Sequence, residues 1–336
     1  FLEYFIIHEG EMWNTIHEIL KQKAESGIEV RVMYDDIGSI TTLNSDFISN
    51  LEKEGIKAIS FNRVNPRLNA MLNHRDHRKI LVIDGKTAFT GGINLSDEYI
   101  NKVNRFGYWK DNILMVKGSA VWSFTVMFLT NWNALRSEDD DYEKFKVYKS
   151  DDTCDGYIAP YGETPLDDEV TSQNIYLNII NQANRYVYID TPYLIIDSDM
   201  QNALILAASR GVDVRIVVPG IPDKKIGWNI TKSYYPQLVE KGVRIFEYSI
   251  GFVHSKVFVC DDVIATVGTI NLDYRSLYLH FENGTYIYDS SVIQDVKNDL
   301  EEQFTVSHEI SAVEARKGSI IKRFLVGILR LFASLF

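Results

Sequence analysis

Cysteine, basic residues and long apolar runs are all scarce in this sequence. The two cysteines, Cys154 and Cys260, lie far apart and give neither a disulfide framework nor the paired spacing of a metal–thiolate site. The 35 basic residues are outnumbered by 46 acidic ones, and the formal charge of −11 argues against a nucleic acid partner because its phosphates would be repelled on average. No internal run reaches the roughly 18 uncharged apolar residues of a membrane-spanning helix.

The residues that are present suit about two folded domains. The chain has 336 residues, of which 46% are hydrophobic and 12% aromatic, enough for a sizeable core. It begins at Phe1 rather than methionine, and the opening "FLEYFII" already has the pattern of a strand. We interpret this as a missing N-terminus. Cys260, within "VFVC", is expected to be a small core residue of a strand.

An internal repeat organises the chain. Residues 3–36 and residues 186–220 each predict a strand, a helix and a second strand, with Gly27 or Gly211 at the end of the helix. A second short helix and another strand follow in each half. Two such units predict an α/β protein made of two similar halves.

The boundary between the halves falls in a polar stretch, residues 136–168. We therefore predict an N-terminal half at residues 1–150, a C-terminal half at residues 151–318 and a separate C-terminal segment at residues 319–336. The polar stretch itself is predicted to be a surface connection, although its part from 157 to 165 could instead line a site, since functional residues favour loops.

Each half carries a histidine, a lysine and an aspartate at the same spacing, followed at the same distance by a glycine and an asparagine. One copy of this pattern is a weak signal, whereas two copies in matching places of a repeat are a strong one. A pair of cations is also a poor choice for a plain strand. In chain order the residues are His77, Lys79, Asp84, Gly91 and Asn94, then His254, Lys256, Asp261, Gly268 and Asn271.

The spacing gives the motif a chemical meaning. Histidine and lysine two positions apart on a strand project from the same face, so each half would offer an imidazole and an ammonium at one spot. Two such sets facing each other suit in-line displacement at a phosphate: one neutral imidazole attacks phosphorus, and the other, protonated, donates to the leaving oxygen. Two lysines and two amides would bind the other phosphate oxygens: Lys79, Lys256, Asn94 and Asn271.

Several further assignments follow. We predict no metal ion, because two lysines can supply the charge that Mg²⁺ supplies elsewhere and no carboxylate cluster requires one. Asp84 and Asp261 belong to the predicted catalytic set, although bracing the turn after each strand is an equally good interpretation. Asp111 and Glu282 are candidates to accept a hydrogen bond from a histidine and fix its tautomer. The remaining histidines are predicted to be surface or core residues: His8, His17, His74, His280 and His308.

With these motifs the chain resembles the phospholipase D superfamily, and within it the bacterial cardiolipin synthases. The resemblance implies two α-β-α sandwich halves packed with pseudo-two-fold symmetry, with the active site at their interface. The stretches that carry it span nearly the whole chain: "EYFI", "GIEVRVMYDDIGS", "NHRDHRKILVIDGKTAFTGGINLSDEY", "YWKDNILMVKGSAV", "IDTPYLIIDSDM", "FVHSKVFVCDDVIATVGTINLDYRS" and "FENG".

The resemblance also implies an activity and a location. Phosphatidylglycerol would give its phosphatidyl group to one histidine, and a second phosphatidylglycerol would accept it to form cardiolipin and glycerol. His77 is the implied nucleophile, and His254 the acid that then becomes the base. Similar enzymes use no metal or organic cofactor, and two transmembrane helices usually precede their catalytic part. The implied location is the bacterial cell membrane, with the catalytic part on the cytoplasmic face.

Two stretches predict contact with phosphatidylglycerol and other anionic phospholipids at a membrane surface. The segment 319–336, "SIIKRFLVGILRLFASLF", would form an amphipathic helix lying in the lipid interface, or alternatively a terminal helix packed on the protein's own core. A basic mouth for a lipid headgroup is predicted from cations beside the first motif, although a solvated loop is nearly as good an interpretation for the first two of them: Arg63, Arg67, Arg75, Arg78 and Lys79.

Three other functions share some of these features. A phospholipase D that transfers to water or another alcohol would have the same motifs. A nuclease of the same superfamily conflicts with the acidic balance and the apolar C-terminus. A non-catalytic membrane-binding or scaffold protein conflicts with intact catalytic positions in both halves. The sequence leaves the acceptor, the order of the two histidines and the oligomeric state open.

Overall fold

The structure, a computed structural model, describes residues 1–63, 73–137, 139–147, 155–317 and 327–330. Most of the predicted C-terminal segment lies outside these ranges, as do Arg67 and Cys154. Within them, no helix has both the length and the apolar character that crossing a membrane requires. Cys260 is a buried strand residue, as predicted.

The first half consists, in its described part, of short strands interleaved with helices. The strands are β1 (Leu2–Tyr4), β2 (Arg31–Asp35), β3 (Lys57–Phe61), β4 (Lys79–Ile83), β5 (Thr87–Gly91), β6 (Tyr108–Lys110) and β7 (Ile113–Lys117). The helices are α1 (Glu11–Glu25), α2 (Asp36–Ser39), α3 (Phe47–Lys53) and α4 (Val121–Arg136), and a 3₁₀ turn follows at Tyr142–Phe145.

The second half repeats this alternation with more strands. They are β8 (Tyr157–Glu163), β9 (Tyr186–Asp190), β10 (Asp213–Pro219), β11 (Arg244–Tyr248), β12 (Gly251–Val253), β13 (Val257–Cys260), β14 (Ile264–Gly268), β15 (Glu282–Tyr288) and β16 (Ser307–Glu309). The helices are α5 (Thr171–Gln182), α6 (Ser198–Ser209), α7 (Lys225–Glu240), α8 (Tyr274–Tyr278), α9 (Val292–Thr305) and α10 (Ala312–Ala315).

Each half is built on a mixed sheet with the same central plan. The order is β3-β2-β1-β4-β5-β7 in the first sheet and β16-β11-β10-β9-β13-β14-β15-β8 in the second. In each, the first central strand, β1 or β9, lies parallel to β2 or β10 and antiparallel to the motif strand, β4 or β13. The repeated plan confirms the predicted α/β fold of two similar halves.

Alternation along the strands buries both faces of each sheet. In β9, Val187 belongs to the core beneath α5, α6 and α7, whereas Tyr188 belongs to the core beneath α9. In β2, Val32 packs with the core beneath α1 and α3, whereas Met33 packs with residues of α4. Because successive strand residues point to opposite faces, each sheet carries helices on both sides.

Strand β8 lies inside the stretch that the sequence predicted to be a surface connection, so that prediction is wrong for residues 157–163. β8 pairs antiparallel with β15 along its whole length, at the edge of the second sheet. Pro160 and Gly162 interrupt the usual strand pattern of "YIAPYGE", and an edge strand tolerates both because one side of it needs no ladder partner.

The halves meet along their motifs. β6 and β12 form a separate two-stranded parallel ribbon between the halves, and β12 leads directly into His254. A second bridge joins Asp76, which precedes the first motif, to Phe281. The Asn283 amide also donates to the Thr90 hydroxyl at 2.8 Å. These contacts place residues flanking both motifs in one interface.

Candidate active site

The motif strands hold each lysine beside its histidine. Lys79 begins β4 and Lys256 directly precedes β13, and both side chains are completely or almost completely buried. Lys79 Nζ donates to the His77 backbone carbonyl at 2.6 Å, and Lys256 Nζ donates to the carbonyl of His254. Each ammonium group therefore lies against the backbone of its own histidine, close enough for its charge to lower the pKa of the imidazole.

Each histidine takes its hydrogen-bond acceptor from the opposite half of the chain. His77 Nδ1 lies 2.9 Å from both carboxylate oxygens of Glu282. His254 Nδ1 lies 2.8 Å from Asp111 Oδ2. The sequence identified both carboxylates as candidates without assigning either to a histidine. Their exchange across the interface brings the two motifs to one place, because neither pair forms within a single half.

Both imidazoles are neutral at neutral pH in the free protein. The pKa of His77 is lowered to about 3 and that of His254 to about 4, chiefly because burial disfavours the charged ring and then because a lysine lies nearby. Although burial opposes it, the contacts with histidine hold the pKa values of Glu282 and Asp111 below their usual range. With Nδ1–H donated to an ionised carboxylate, Nε2 keeps a lone pair that can attack phosphorus.

The two lysines lie close enough to influence each other. Burial lowers the pKa of Lys79 to about 7 and that of Lys256 to about 8, while Glu282 and Asp111 oppose the shift of each lysine. The charge of Lys256 lowers the pKa of Lys79 further. Because one electric field links both lysines and both carboxylates, the two motifs share one pocket, to which each half contributes one ammonium group.

The two asparagines that were predicted to bind phosphate differ in their surroundings. Asn94 Oδ1 accepts from the Ile6 backbone N–H at 3.0 Å, and its amide nitrogen donates to the Tyr99 hydroxyl at 2.8 Å. Asn271 is buried, and its Oδ1 has no hydrogen-bond partner among the described residues. One N–H of Asn94 and the amide of Asn271 thus remain available, and phosphate binding by both stays a prediction.

The residue after the motif glycine differs between the halves: it is Gly92 in the first motif and Thr269 in the second. A Cβ on Gly92 would lie 2.1 Å from Asp111 Oδ1 and 2.7 Å from the His254 carbonyl, so only glycine leaves room for that pair. The matching position in the second motif is Thr269, whose hydroxyl donates to Glu282 Oε2 at 2.5 Å. Each tail thus supports the carboxylate that orients a histidine.

Asp84 and Asp261 lie at the far ends of the motif strands. Each is five positions from its lysine, or roughly 16 Å along an extended strand. The Asp261 carboxylate accepts backbone N–H groups of residues 184, 185 and 186 at 2.7 to 2.9 Å, which braces the entry to β9. Asp84 is exposed, and both aspartates adopt φ of 54° at a turn. The contacts favour the bracing interpretation for Asp261, while a direct catalytic role for either residue stays a prediction.

The predicted basic mouth is wrong for two of its arginines. Arg75 is 2% exposed, and its guanidinium binds the Asp35 carboxylate at 2.8 to 3.0 Å. Arg78 is 6% exposed and donates to the backbone carbonyl of Glu282 at 3.2 Å. Both cations are satisfied inside the protein, because folding brings a distant carboxylate and a carbonyl from the other half against them.

His280 is a buried residue of the pocket, not of the surface, and sequence analysis gave it no role there. Its ring lies 5.8 Å from the ring of His77, and its Nδ1 lies 3.6 Å from Glu282 Oε1. That nitrogen is buried and has no hydrogen-bond partner among the described residues. The signal available in the sequence was its position two residues before Glu282, which on an extended segment gives both side chains the same face.

His77, His280 and Glu282 have side chains of the metal-ligand type, with ligand atoms within 4.8 Å of one another. The positive field of Lys79, which lowers the pKa of His77, opposes a bound cation at the same place. The expectation of a site without a metal ion therefore stays a prediction, with this cluster as the place to test it.

Comparison with known proteins identifies the family. The family description "Cardiolipin synthase, PLD-like domain" matches residues 4–121 and 176–304, one block in each half. An uncharacterized protein of Streptococcus mutans is 50% identical over 339 residues, which cover 100% of this chain and 73% of that protein. Cardiolipin synthase 2 of Bacillus cereus is 37% identical over 342 residues, covering 99% of this chain and 65% of that enzyme. The chain thus spans 65 to 73% of the length of these two relatives.

A solved structure shares the fold. The phosphatidylserine synthase of Haemophilus influenzae superposes with a TM-score of 0.76 over 100% of this chain and 89% of that one, at 14% identity. The family model and the relative named cardiolipin synthase support a phosphatidyltransferase enzyme, as the sequence predicted. The chain belongs to the cardiolipin synthase family with phospholipase D-like domains.

Proposed function

We propose that the chain is the catalytic part of a cardiolipin synthase, which moves a phosphatidyl group from one phosphatidylglycerol to another through a phosphohistidine. The observation that carries the proposal is the exchange of carboxylates across the interface: His77 with Glu282, and His254 with Asp111. Each pairing fixes a tautomer, and two buried lysines supply positive charge between them. This arrangement suits a phosphodiester flanked by a nucleophile and an acid.

In the first step, the lone pair of His77 Nε2 attacks phosphorus and the bond from phosphorus to the glycerol oxygen breaks. Protonated His254 gives its Nε2 proton to that oxygen, so glycerol leaves neutral. Ionised Glu282 accepts from Nδ1 and stabilises the positive charge that develops on the attacking ring. Lys79 and Lys256 bind the non-bridging oxygens.

In the second step, a hydroxyl of another phosphatidylglycerol attacks the phosphohistidine. His254, now neutral, takes the hydroxyl proton while the bond from phosphorus to His77 Nε2 breaks. Cardiolipin forms and both histidines return to their starting states. Asp111 stabilises His254 whenever that ring carries its second proton.

The substrate itself would bring the acid into its working state. Both histidines are neutral in the free protein because burial lowers their pKa values. A bound phosphodiester adds a negative charge, which raises the pKa of neighbouring groups and so favours protonation of His254 and of both lysines. The proposed substrates are anionic membrane lipids, and we place the enzyme at the bacterial membrane, with its catalytic part on the cytoplasmic face.

The function is tested by giving the purified protein phosphatidylglycerol in detergent micelles and separating the products. Cardiolipin and glycerol in equal amounts are the expected result. Phosphatidic acid as the main product would instead assign water as the acceptor. Cleavage of DNA without lipid turnover would overturn the proposal in favour of a nuclease.

The fall of kcat/KM at high pH should report the loss of protons from the two lysines. Lys79 and Lys256 have pKa values of about 7 and about 8, so they lose the protons that bind phosphate as the pH rises. With a soluble short-chain phosphatidylglycerol we expect kcat/KM to fall as the pH rises above about 4, because the reaction needs protonated His254, and to fall more steeply above about pH 7, where the lysines also lose protons. Lys53→Met, on the surface, should leave the profile unchanged. A kcat/KM that still rises at about pH 9 would contradict this assignment.

Replacing His280 should separate its polar effect on Glu282 from its packing. His280→Asn keeps an N–H group near the position of Nδ1, 3.6 Å from Glu282 Oε1, and is expected to retain kcat within about threefold, because this polar group still favours the ionised form of Glu282. His280→Leu fills a similar volume without a donor and is expected to lower kcat about tenfold. The measurement is phosphatidylglycerol turnover, with thermal unfolding as the control. Equal activity of the two variants would show that His280 only packs.

A further inference from the structure

The outer end of the β6–β12 ribbon is apolar and exposed. Tyr108 is 52% exposed, Ile250 50% and Ile221 40%. The Tyr108 N–H donates to the Ile250 carbonyl at 2.9 Å, and the Ile221 N–H donates to the Gly251 carbonyl at 3.2 Å. Three separate segments of the chain therefore present large apolar side chains at one place on the surface.

The turn before β6 adds to this surface. Val103 is 51% exposed and Ile100 38%. The side chain of Asn101 ties the turn to the ribbon, since it accepts from the Trp109 N–H at 2.7 Å and donates to the Trp109 carbonyl at 3.0 Å. Exposed apolar residues that are held in a fixed turn are a surface feature and not a frayed end of the chain.

The ribbon leads inward from this surface to the active site. Ile250 and His254 are four positions apart, or ~13 Å along an extended strand. Aromatic rings line the inner end: the centroid of His254 lies 5.1 Å from Trp109, 5.7 Å from Tyr99 and 6.0 Å from Phe252. An apolar path thus connects exposed side chains to the proposed acid of the reaction.

The charges beside the apolar surface favour an anionic partner. Arg105 has 65% of its side chain exposed, and Lys224 and Lys225 are exposed at the start of α7. Two carboxylates lie near these three cations: Glu98 lies 3.8 Å from Arg105, and Asp223 accepts from a tyrosine hydroxyl at 2.5 Å, so the cations are in excess by one. Apolar side chains bordered by cations suit the interface of an anionic bilayer.

We propose that this surface, the ribbon tip (Val103, Tyr108, Ile221 and Ile250), inserts into the phospholipid bilayer and brings lipid headgroups to His254. The inference rests on the proposed function and names the surface through which its substrate arrives. The acyl chains of a lipid stay in the membrane because exposing them to water is unfavourable. With the tip among the upper acyl segments, a ribbon of ~13 Å places His254 near headgroup depth.

The test compares two double variants that add the same charge. Ile221→Glu/Ile250→Glu changes the ribbon tip. Ile28→Glu/Ile83→Glu is the matched control, because these residues are 45% and 46% exposed but lie away from the ribbon tip. Ile28 precedes β2, and Ile83 ends β4 at the end remote from His77. Each is given phosphatidylglycerol in vesicles and, separately, dihexanoyl-phosphatidylglycerol below its micelle-forming concentration. The ratio of the two rates reports access from a bilayer.

We expect the ribbon-tip variant to lose at least tenfold in vesicle turnover while its turnover of the short-chain lipid stays within twofold of the unaltered protein. The control variant should stay within twofold on both substrates. A ratio of rates within twofold of the unaltered protein would overturn the ribbon tip as the membrane contact. Ile250→Trp, which keeps an apolar side chain, should preserve the ratio and so distinguishes lost insertion from a damaged fold.

Failure of the proposed function would be distinguishable from failure of this inference. If the unaltered protein turns over neither lipid, the proposed function is wrong. The ribbon tip is then tested by measuring how much protein sediments with phosphatidylglycerol vesicles. Binding at least tenfold weaker for the ribbon-tip variant than for the control variant would support it. Equal binding by the two variants would overturn it.

Discussion

Alanine in place of either motif histidine is expected to lower kcat for phosphatidyl transfer about a thousandfold or more. His77→Ala removes the nitrogen that would form the covalent bond. His254→Ala removes the group that, in the proposed mechanism, would protonate the glycerol oxygen and later take a proton from the acceptor. Cardiolipin formation is the measurement, with thermal unfolding to show that each variant folds. His308→Ala is the control, because His308 is exposed and lies on edge strand β16.

The roles of the two histidines are separated by a better leaving group. A phosphatidyl ester of p-nitrophenol needs little help from an acid, so His254→Ala should still release a burst of p-nitrophenol and retain a labelled phosphatidyl group on the protein. His77→Ala should do neither. The opposite pattern would exchange the two roles. Full cardiolipin synthesis by either alanine variant would refute the two-histidine mechanism.

Exchanging the orienting carboxylates for amides is expected to lower kcat about a hundredfold to ten thousandfold. In Glu282→Gln, the amide N–H₂ would face His77 Nδ1 and favour the tautomer that carries its proton on Nε2, which cannot attack phosphorus. Asp111→Asn should act in the same way on His254. Both variants keep the size of the side chain, so the loss should appear in kcat and not in the thermal unfolding temperature.

A neighbouring carboxylate supplies the matched control for this experiment. Glu163 lies directly opposite Glu282 in the pairing of β8 with β15, and it is also buried. Its carboxylate accepts from the Ser172 backbone N–H at 2.7 Å and not from an imidazole. Glu163→Gln should therefore keep kcat within about threefold, since it removes a buried charge without touching a tautomer. Equal losses in Glu163→Gln and Glu282→Gln would show that burial of charge, not orientation of His77, explains the effect.

Local patterns in the sequence were sufficient to predict the repeat and the motif strands. The strand runs after Lys79 and Lys256 and the glycines that end helices depend on neighbours along the chain, so they are readable without tertiary structure. The proximity of the two motifs followed from the symmetry of the repeat. Asp111 and Glu282 were identifiable because each lies on the segment that follows its own motif tail.

Contacts between residues far apart in the chain could not be predicted. Which carboxylate serves which histidine depends on how the halves dock, and spacing within one half carries no information about that. The sequence suggested that Arg75 is a surface cation, because nothing near it in the chain indicates its partner, Asp35, which lies forty positions earlier. The β6–β12 ribbon has only three residues in each strand, too few for any periodicity to show.

The exchanged carboxylates have a consequence for the separated halves. If the chain were cut within the connection between β7 and β8, each fragment would keep its own motif histidine but lose the carboxylate that orients the imidazole. Neither fragment would therefore contain a complete histidine–carboxylate pair. A homodimer of one half could not restore the original pairs, because one half contributes a glutamate and the other an aspartate. In the proposed mechanism, reactivity at phosphorus would therefore belong to the assembled pair of halves, and a change that separates the halves would inactivate both histidines together.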